Sequence, residues 1–275
     1  MRIGYVSDTH LDFFVQPNKN HKIKEYIQNI LKPEGGDVLI VAGDISHYNT
    51  QTILLLEELS TYYNQVLFTI GNHDLYLISK NLVNRYKYNS FNRIKELEDY
   101  FIDNKFIHFL NGNSININGI NFGGLPNWYD LPSQGHIDRW NTMMNDSNLI
   151  YEGRDHTIVN YGYYDEKLSS FDTQAFRKIQ EENFKKLENI DVLFTHICPC
   201  LIDSENISGP HFSDDMFYMS DDIEKVKRTG AKYVIYGHNH TSTSWSKDNI
   251  RFLTNAIGYP REWMKNPIKH FEIKG

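Results

Sequence analysis

The feature that most constrains this chain is a junction that recurs along it: a short apolar run that stops abruptly at carboxylates, amides and imidazoles. Val66-Leu67-Phe68 leads into Thr69-Ile70-Gly71-Asn72-His73-Asp74, and the same event recurs at Asp8-Thr9-His10, Gly43-Asp44, Thr195-His196 and Gly237-His238-Asn239-His240. The run Asp37-Val38-Leu39-Ile40-Val41-Ala42 is almost continuously apolar, the pattern of a strand covered on both faces. Between it and the Val66 run, Leu55, Leu56, Leu59, Tyr62 and Tyr63 recur at helical spacing over 51–63. Residues 37–70 therefore read as a βαβ unit with a parallel strand pair. Both strands then end on one sheet edge, where open α/β sheets place their sites, and Asp44 is brought near Asn72. Any one of these polar clusters also reads as ordinary turn chemistry. Their repetition at every strand expected to share one edge points to a site.

The remaining elements fit an α/β chain. A strand is expected over 2–7, helices over 23–31, 91–103 and 172–188, and short strands over 106–110, 114–118 and 120–124. Asp172 is placed to cap its helix. Further strands are expected at 191–195 and 232–236, with a short helix between them, capped by Ser220 and stopped by Gly230. The tail reads as antiparallel strands at 242–246, 250–254 and 269–273. Residues 125–170 differ, holding Trp128, Tyr129, Trp140, Tyr151, Tyr161, Tyr163 and Tyr164 among polar residues with little periodicity. The reading is one domain over 1–275, with 125–170 as a cap-like insertion over the site.

Composition excludes several classes. A net charge of −7 with no basic stripe argues against a nucleic-acid partner. Two cysteines, Cys198 and Cys200, separated by one residue, make neither a disulfide framework nor a four-thiol zinc site, so a structural role is expected. No apolar run reaches the roughly 18 residues of a membrane span. Because the first strand starts at Arg2 and delivers Asp8, removal of a leader would remove part of the site, and a cytoplasmic protein is expected.

Taken together, Asp8-x-His10, Gly43-Asp44, Gly71-Asn72-His73-Asp74, His196 and Gly237-His238-x-His240 resemble the blocks of the calcineurin-like metallophosphoesterases, in that family's order, over residues 8–240. The resemblance implies a four-layer αββα sandwich of two mixed β-sheets flanked by helices. It implies two divalent metal ions joined by a shared carboxylate, with Asp8, His10 and His240 on one, Asn72, His196 and His238 on the other, and Asp44 as the bridge. Oxygen and imidazole donors without thiolate suit Mn²⁺ first, with Fe or Zn as alternatives. The implied activity is hydrolysis of phosphate mono- or diesters by a hydroxide held between the metals. His73 would then be the general acid or charge stabiliser and Asp74 the carboxylate that orients it.

The departures narrow the family. Ile45-Ser46-His47 follows Gly43-Asp44, and Asp74 ends the next block, which argues against a calcineurin-type protein phosphatase. His47 reads as a surface turn residue, with a supporting contact to the site's own residues as the alternative. His211, between two blocks, is a candidate substrate contact. So are Arg139 and Arg154 of the insertion, which also holds His136 and His156. The insertion's rings either pack it onto the sheet or border a nucleotide-like leaving group. A metal-binding interaction module on the same fold and a nuclease are the alternative functions. Every ligand position being filled and His73 being present favour the enzyme over the module.

Overall fold

A computed structural model of the chain describes residues 1–153, 171–202, 217–262 and 267–274. The first sheet runs β1 (Arg2–Val6), β2 (Gly36–Ala42), β3 (Tyr63–Thr69) and β4 (Ile107–Phe109), all parallel, with β11 (Lys269–Glu272) antiparallel on the outer side of β1. The second takes the order β5 (Asn113–Ile117), β6 (Ile120–Leu125), β7 (Val192–Thr195), β8 (Tyr233–Tyr236), β10 (Ile250–Asn255) and β9 (Ser242–Lys247). Its four inner strands are parallel and both edge strands antiparallel. The expected two mixed sheets are both present.

Side-chain alternation explains why the central strands read as unbroken apolar runs. Val38, Ile40 and Ala42 of β2 face the second sheet and pack with Phe122, Val192, Phe194, Ile235 and Leu253. Leu39 and Val41 face outward onto α3 (Asn49–Leu59) and α5 (Ser90–Phe101), meeting Leu55, Leu56, Leu59, Leu97 and Phe101. The outer face of the second sheet, with Leu193, Val234 and Phe252, is covered from α8 (Thr173–Lys185) and α9 (Ile223–Thr229) by Phe184 and Val226. Cys198 and Cys200 are buried in that layer as thiols.

Several boundaries differ from expectation for physical reasons. α3 ends at Leu59, because Tyr63 pairs with Gly36 as the first residue of β3 and the chain must turn before it. Asp172 caps α8 as expected, accepting from the amides of Gln174 and Ala175 at 3.1 and 2.9 Å. Ser220 does not cap α9. The cap position is Asp222, whose carboxylate takes both terminal nitrogens of Arg177 at 2.7 Å and the Ser220 hydroxyl at 2.6 Å. Gly230 does stop the helix, with φ 88°. Within 125–153, apparently aperiodic sequence forms α6 (Gln134–Met143) and α7 (Asp146–Leu149). Trp128, Tyr129 and Trp140 are buried there against Ile70, Leu75, Ile94 and Phe176, and the two tryptophan rings pack rather than face a ligand.

Candidate metal centre

The C-terminal ends of β1, β2, β3, β7 and β8 converge. At the end of β2, the Ala42 carbonyl accepts from His196 Nδ1 at 2.9 Å, which ties the second sheet to the first. At the end of β1, Asp8 accepts the amide of His238 at 2.9 Å. The turns at these ends are strained. Asp8, His10, Asp44, His238 and His240 all have positive φ, between 38° and 71°, a region that non-glycine residues occupy at a cost of order 1–3 kcal/mol each. Strain concentrated on one set of chemically active side chains is a mark of function.

Among the described residues, three donor sets come within metal-ligating distance of one another: Asp8 with His10 and His240, Asp44 with His196 and His238, and His10 with Asp44 and His73. The lone pairs are aimed by the hydrogen bonds on the other side of each ring. His196 gives Nδ1–H to Ala42, so its Nε2 lone pair faces Asn72 Oδ1 at 3.1 Å and Asp44 Oδ2 at 3.4 Å. His240 gives Nδ1–H to Glu262 at 2.6 Å, so its Nε2 faces His10 Nε2 at 3.0 Å and Asp8 Oδ1 at 3.6 Å. His238 gives Nε2–H to the Phe217 carbonyl at 2.8 Å and keeps Nδ1 as its lone-pair nitrogen. Asp44 Oδ2 lies between His196 Nε2 and His10 Nε2, at 3.4 and 3.8 Å, while Oδ1 is pinned by the His73 amide at 2.9 Å.

Convergent lone pairs of this kind require positive charge. Burial pushes His196 down, but the Asp44 carboxylate beside it outweighs that and raises its pKa to about 9. His10 and His238 are held low by burial, His238 at about 3. Oxygen and imidazole donors and a shared carboxylate together fit divalent transition metals.

Gly71 shows how tightly the turn is drawn in. A Cβ there would lie 2.1 Å from Asp44 Oδ1 and 2.7 Å from His196 Cε1. Gly71→Ala must therefore displace Asp44, at an overpacking cost of about 1–3 kcal/mol. That is a fall of roughly 2–10 °C in Tm for a chain of this size. Titration calorimetry should also show at least a tenfold loss in metal affinity. Unchanged melting and unchanged affinity would mean that Asp44 does not occupy this position.

Residues 1–242 match the calcineurin-like phosphoesterase family. The chain belongs to that family. It is 23% identical over 283 residues to protein L509 of Acanthamoeba polyphaga mimivirus, covering 99% of this chain and 97% of that protein. Phosphopantetheinyl hydrolase (PptH) from Mycobacterium tuberculosis has a similar fold, with TM-score 0.62 and 19% identity over 95% of this chain and 90% of the other. The two mixed sheets and flanking helices are the metallophosphoesterase architecture.

Around the shared site, several side chains are used differently from the expectation. Asp74 was expected to orient His73. Its carboxylate instead accepts backbone amides, from Asp44 and Gly71 at 2.8 Å each and from Ile45 at 3.1 Å, and so clamps the two ligand-bearing turns together. Burial, with Asp44 adding to it, raises Asp74 to about 6. His73 is oriented by His47, whose Nε2 is 2.9 Å from His73 Nδ1 and whose Nδ1 is 2.7 Å from Asp12. His47 is buried and stacked on His73, not a surface turn residue. His73 Nε2 meets the Tyr259 hydroxyl at 3.1 Å. Both of its nitrogens thus have partners, His47 on one side and Tyr259 on the other. Burial holds it at about 4, with His47 and His240 acting in the same direction.

Three further residues had no sequence signal. Arg93, fully buried on α5, donates to the carbonyls of His73 at 3.2 Å, Tyr76 at 3.1 Å and Ser46, bracing the loop that carries His73. Asp146, at the start of α7, accepts from Asn72 Nδ2 at 2.8 Å, from Tyr129 at 2.8 Å and from the Tyr76 hydroxyl, which fixes Asn72 Oδ1 toward His196. Glu262 holds His240. Arg139 is exposed on α6 with Nε against Met143 Sδ at 3.3 Å, and Met143, not Arg139, is among the cleft-lining residues. His136 is engaged by Ser133 at 2.7 Å. Arg154, His156 and His211 lie outside the described residues.

Proposed function

We propose that this protein hydrolyses phosphate esters with two divalent cations, one held by Asp8, His10 and His240 and the other by Asn72, His196 and His238. Asp44 is shared between them. The observation that carries the reading is the position of Asp44 Oδ2 between the two sets of nitrogens. The fold shared with a phosphopantetheinyl hydrolase is in keeping with a phosphate-ester substrate. The bound cations would supply positive charge for the phosphoryl oxygens and Lewis acidity, with Mn²⁺ the first expectation and Fe or Zn the alternatives.

The chain's own residues supply orientation and proton handling. Asp12 accepts Nδ1–H of His47, whose Nε2 faces His73 Nδ1 at 2.9 Å. His73 Nε2 faces the cleft, 3.1 Å from the Tyr259 hydroxyl. His73 and Tyr259 are the groups placed to pass a proton to, or hydrogen-bond, the departing ester oxygen. The backbone clamp of Asp74 and the Asn72–Asp146 bond hold the turns beneath them.

The test is turnover by metal-stripped protein to which Mn²⁺, Fe²⁺, Zn²⁺ or Mg²⁺ is restored singly. The substrates are nucleotides, cyclic nucleotides and aryl mono- and diesters. The expected result is metal-dependent hydrolysis of at least one class, with about two metals bound per chain. Full metal binding with no turnover of any ester would replace the enzyme by a metal-binding interaction module.

A further inference from the structure

Two cavities meet at His73. The smaller, of about 280 Å³, is lined on its metal-facing side by Asp44, Asn72, His238 and His240. The larger, of about 590 Å³, lies on the other side, with Phe13, Tyr76, Leu149, Tyr259 and Pro260 among its walls. His73, Tyr76, Asn145 and Tyr259 line both. The larger space falls within the roughly 300–1,000 Å³ of small-molecule pockets. A phosphoryl group over the clustered carboxylates and imidazoles has one substituent that can run past His73 into it.

Its chemistry is mainly that of rings and hydrocarbon. Phe13, on the short helix α1 (Leu11–Phe14), is 48% exposed. Its ring leans on Tyr259 at 4.9 Å and on His47 at 5.6 Å, so its position is fixed although half its surface meets water. A ring held open at the mouth of a site offers apolar area for a ligand to cover. Of the polar groups on its walls, His47 is engaged by Asp12 and Glu262 by His240, and Asn145 and Arg261 also border the space beside the rings.

We infer that this larger cavity seats the leaving-group side of the ester and selects a bulky, mainly apolar alcohol, with Phe13 and Tyr259 as the specificity-determining walls. This rests on the phosphoesterase reading. In the reaction the bond between phosphorus and the ester oxygen breaks, water supplies the new oxygen on phosphorus, and the alcohol leaves with a proton.

The experiment compares phenyl and 2-naphthyl phosphate, whose phenols are of similar acidity, or the corresponding methyl diesters if diesters are preferred. The naphthyl ester should be favoured in kcat/KM by about 10–100-fold, the scale for burying the added ring carbons. Phe13→Ser, a change at a half-exposed position whose folding is checked by circular dichroism, should cut that preference below about threefold. Free 2-naphthol, followed by its fluorescence, should bind the parent protein, compete with the naphthyl ester, and bind Phe13→Ser at least tenfold more weakly. Equal kcat/KM for the two esters in the parent, or equal losses in the variant, would overturn the inference and leave the phosphoesterase standing. Competitive naphthol binding that depends on Phe13, without turnover of any ester, would sink the enzyme and keep the pocket. Neither binding nor turnover would sink both.

Discussion

Asp44→Asn should remove metal from both proposed positions at once and lower kcat/KM by on the order of 10³ or more. The basis is that one oxygen serves two donor sets: Oδ2 is 3.4 Å from His196 Nε2 and 3.8 Å from His10 Nε2. Asparagine keeps the shape and the bond that Oδ1 accepts from the His73 amide, but it carries no charge to hold two cations together. Metal-supplied charge stabilisation is worth several kcal/mol, and each factor of ten in rate corresponds to about 1.36 kcal/mol, which sets the size of the loss. The fold should survive, because relief of the repulsion of Asp8 and Asp74 offsets part of the lost attraction to His196, and the bond from the His73 amide is kept. The variant should therefore melt close to the metal-free parent but lose the rise in Tm that saturating metal gives the parent. Elemental analysis is the decisive measurement. Two metals at full occupancy in an active Asp44→Asn protein would end the bridging assignment. Loss of metal from one set alone would place the shared ligand elsewhere.

The parts of this arrangement that could be read in the sequence are those in which backbone periodicity and chemistry coincide. The unbroken apolar run of β2 signals a strand covered on both faces, and the structure covers it with the second sheet on one side and α3 and α5 on the other. The polar residues at the strand ends then gather because parallel strands share a C-terminal edge. What the sequence hides is contact between elements with no fixed spacing. Asp146 reaches Asn72 across 74 positions, and Arg93 reaches Ser46 across 47, by tertiary packing that no local pattern encodes. Neighbours in sequence misled for the complementary reason. Asp74 follows His73 directly, but the turn points its carboxylate back at the amides of Gly71 and Asp44. His47 looked like a turn residue because nothing local shows that Tyr76 and His73 form the surface on which it stacks. The aromatic segment over 125–153 was ambiguous because aromatic content alone does not separate packing rings from ligand-facing ones, and burial of Trp128 and Trp140 settles those two as packing.

The chain Asp12–His47–His73 permits a test that separates a proton-handling role from a structural one. His73→Gln should retain both metals and lower kcat by about 10²–10⁴-fold for esters with poor leaving groups, the range for loss of a general acid. The deficit should shrink for nitrophenyl esters, whose oxygen needs no proton. His47→Phe keeps a flat ring to stack on His73 and Tyr76 but removes the hydrogen bonds at 2.9 Å to His73 and 2.7 Å to Asp12. If His47 acts through His73, its loss should cost about 10–100-fold, the usual effect of removing an orienting partner. Activity should also become more dependent on leaving-group acidity, in the same sense as for His73→Gln. The double variant His73→Gln, His47→Phe should then be no worse than His73→Gln alone, since residues acting as one unit are not additive. Elemental analysis of each variant guards against metal loss, which would instead make the ring a ligand. Multiplying losses in the double variant, or a His47→Phe deficit equal for nitrophenyl and alkyl esters, would show that His47 supports the loop and does not tune His73.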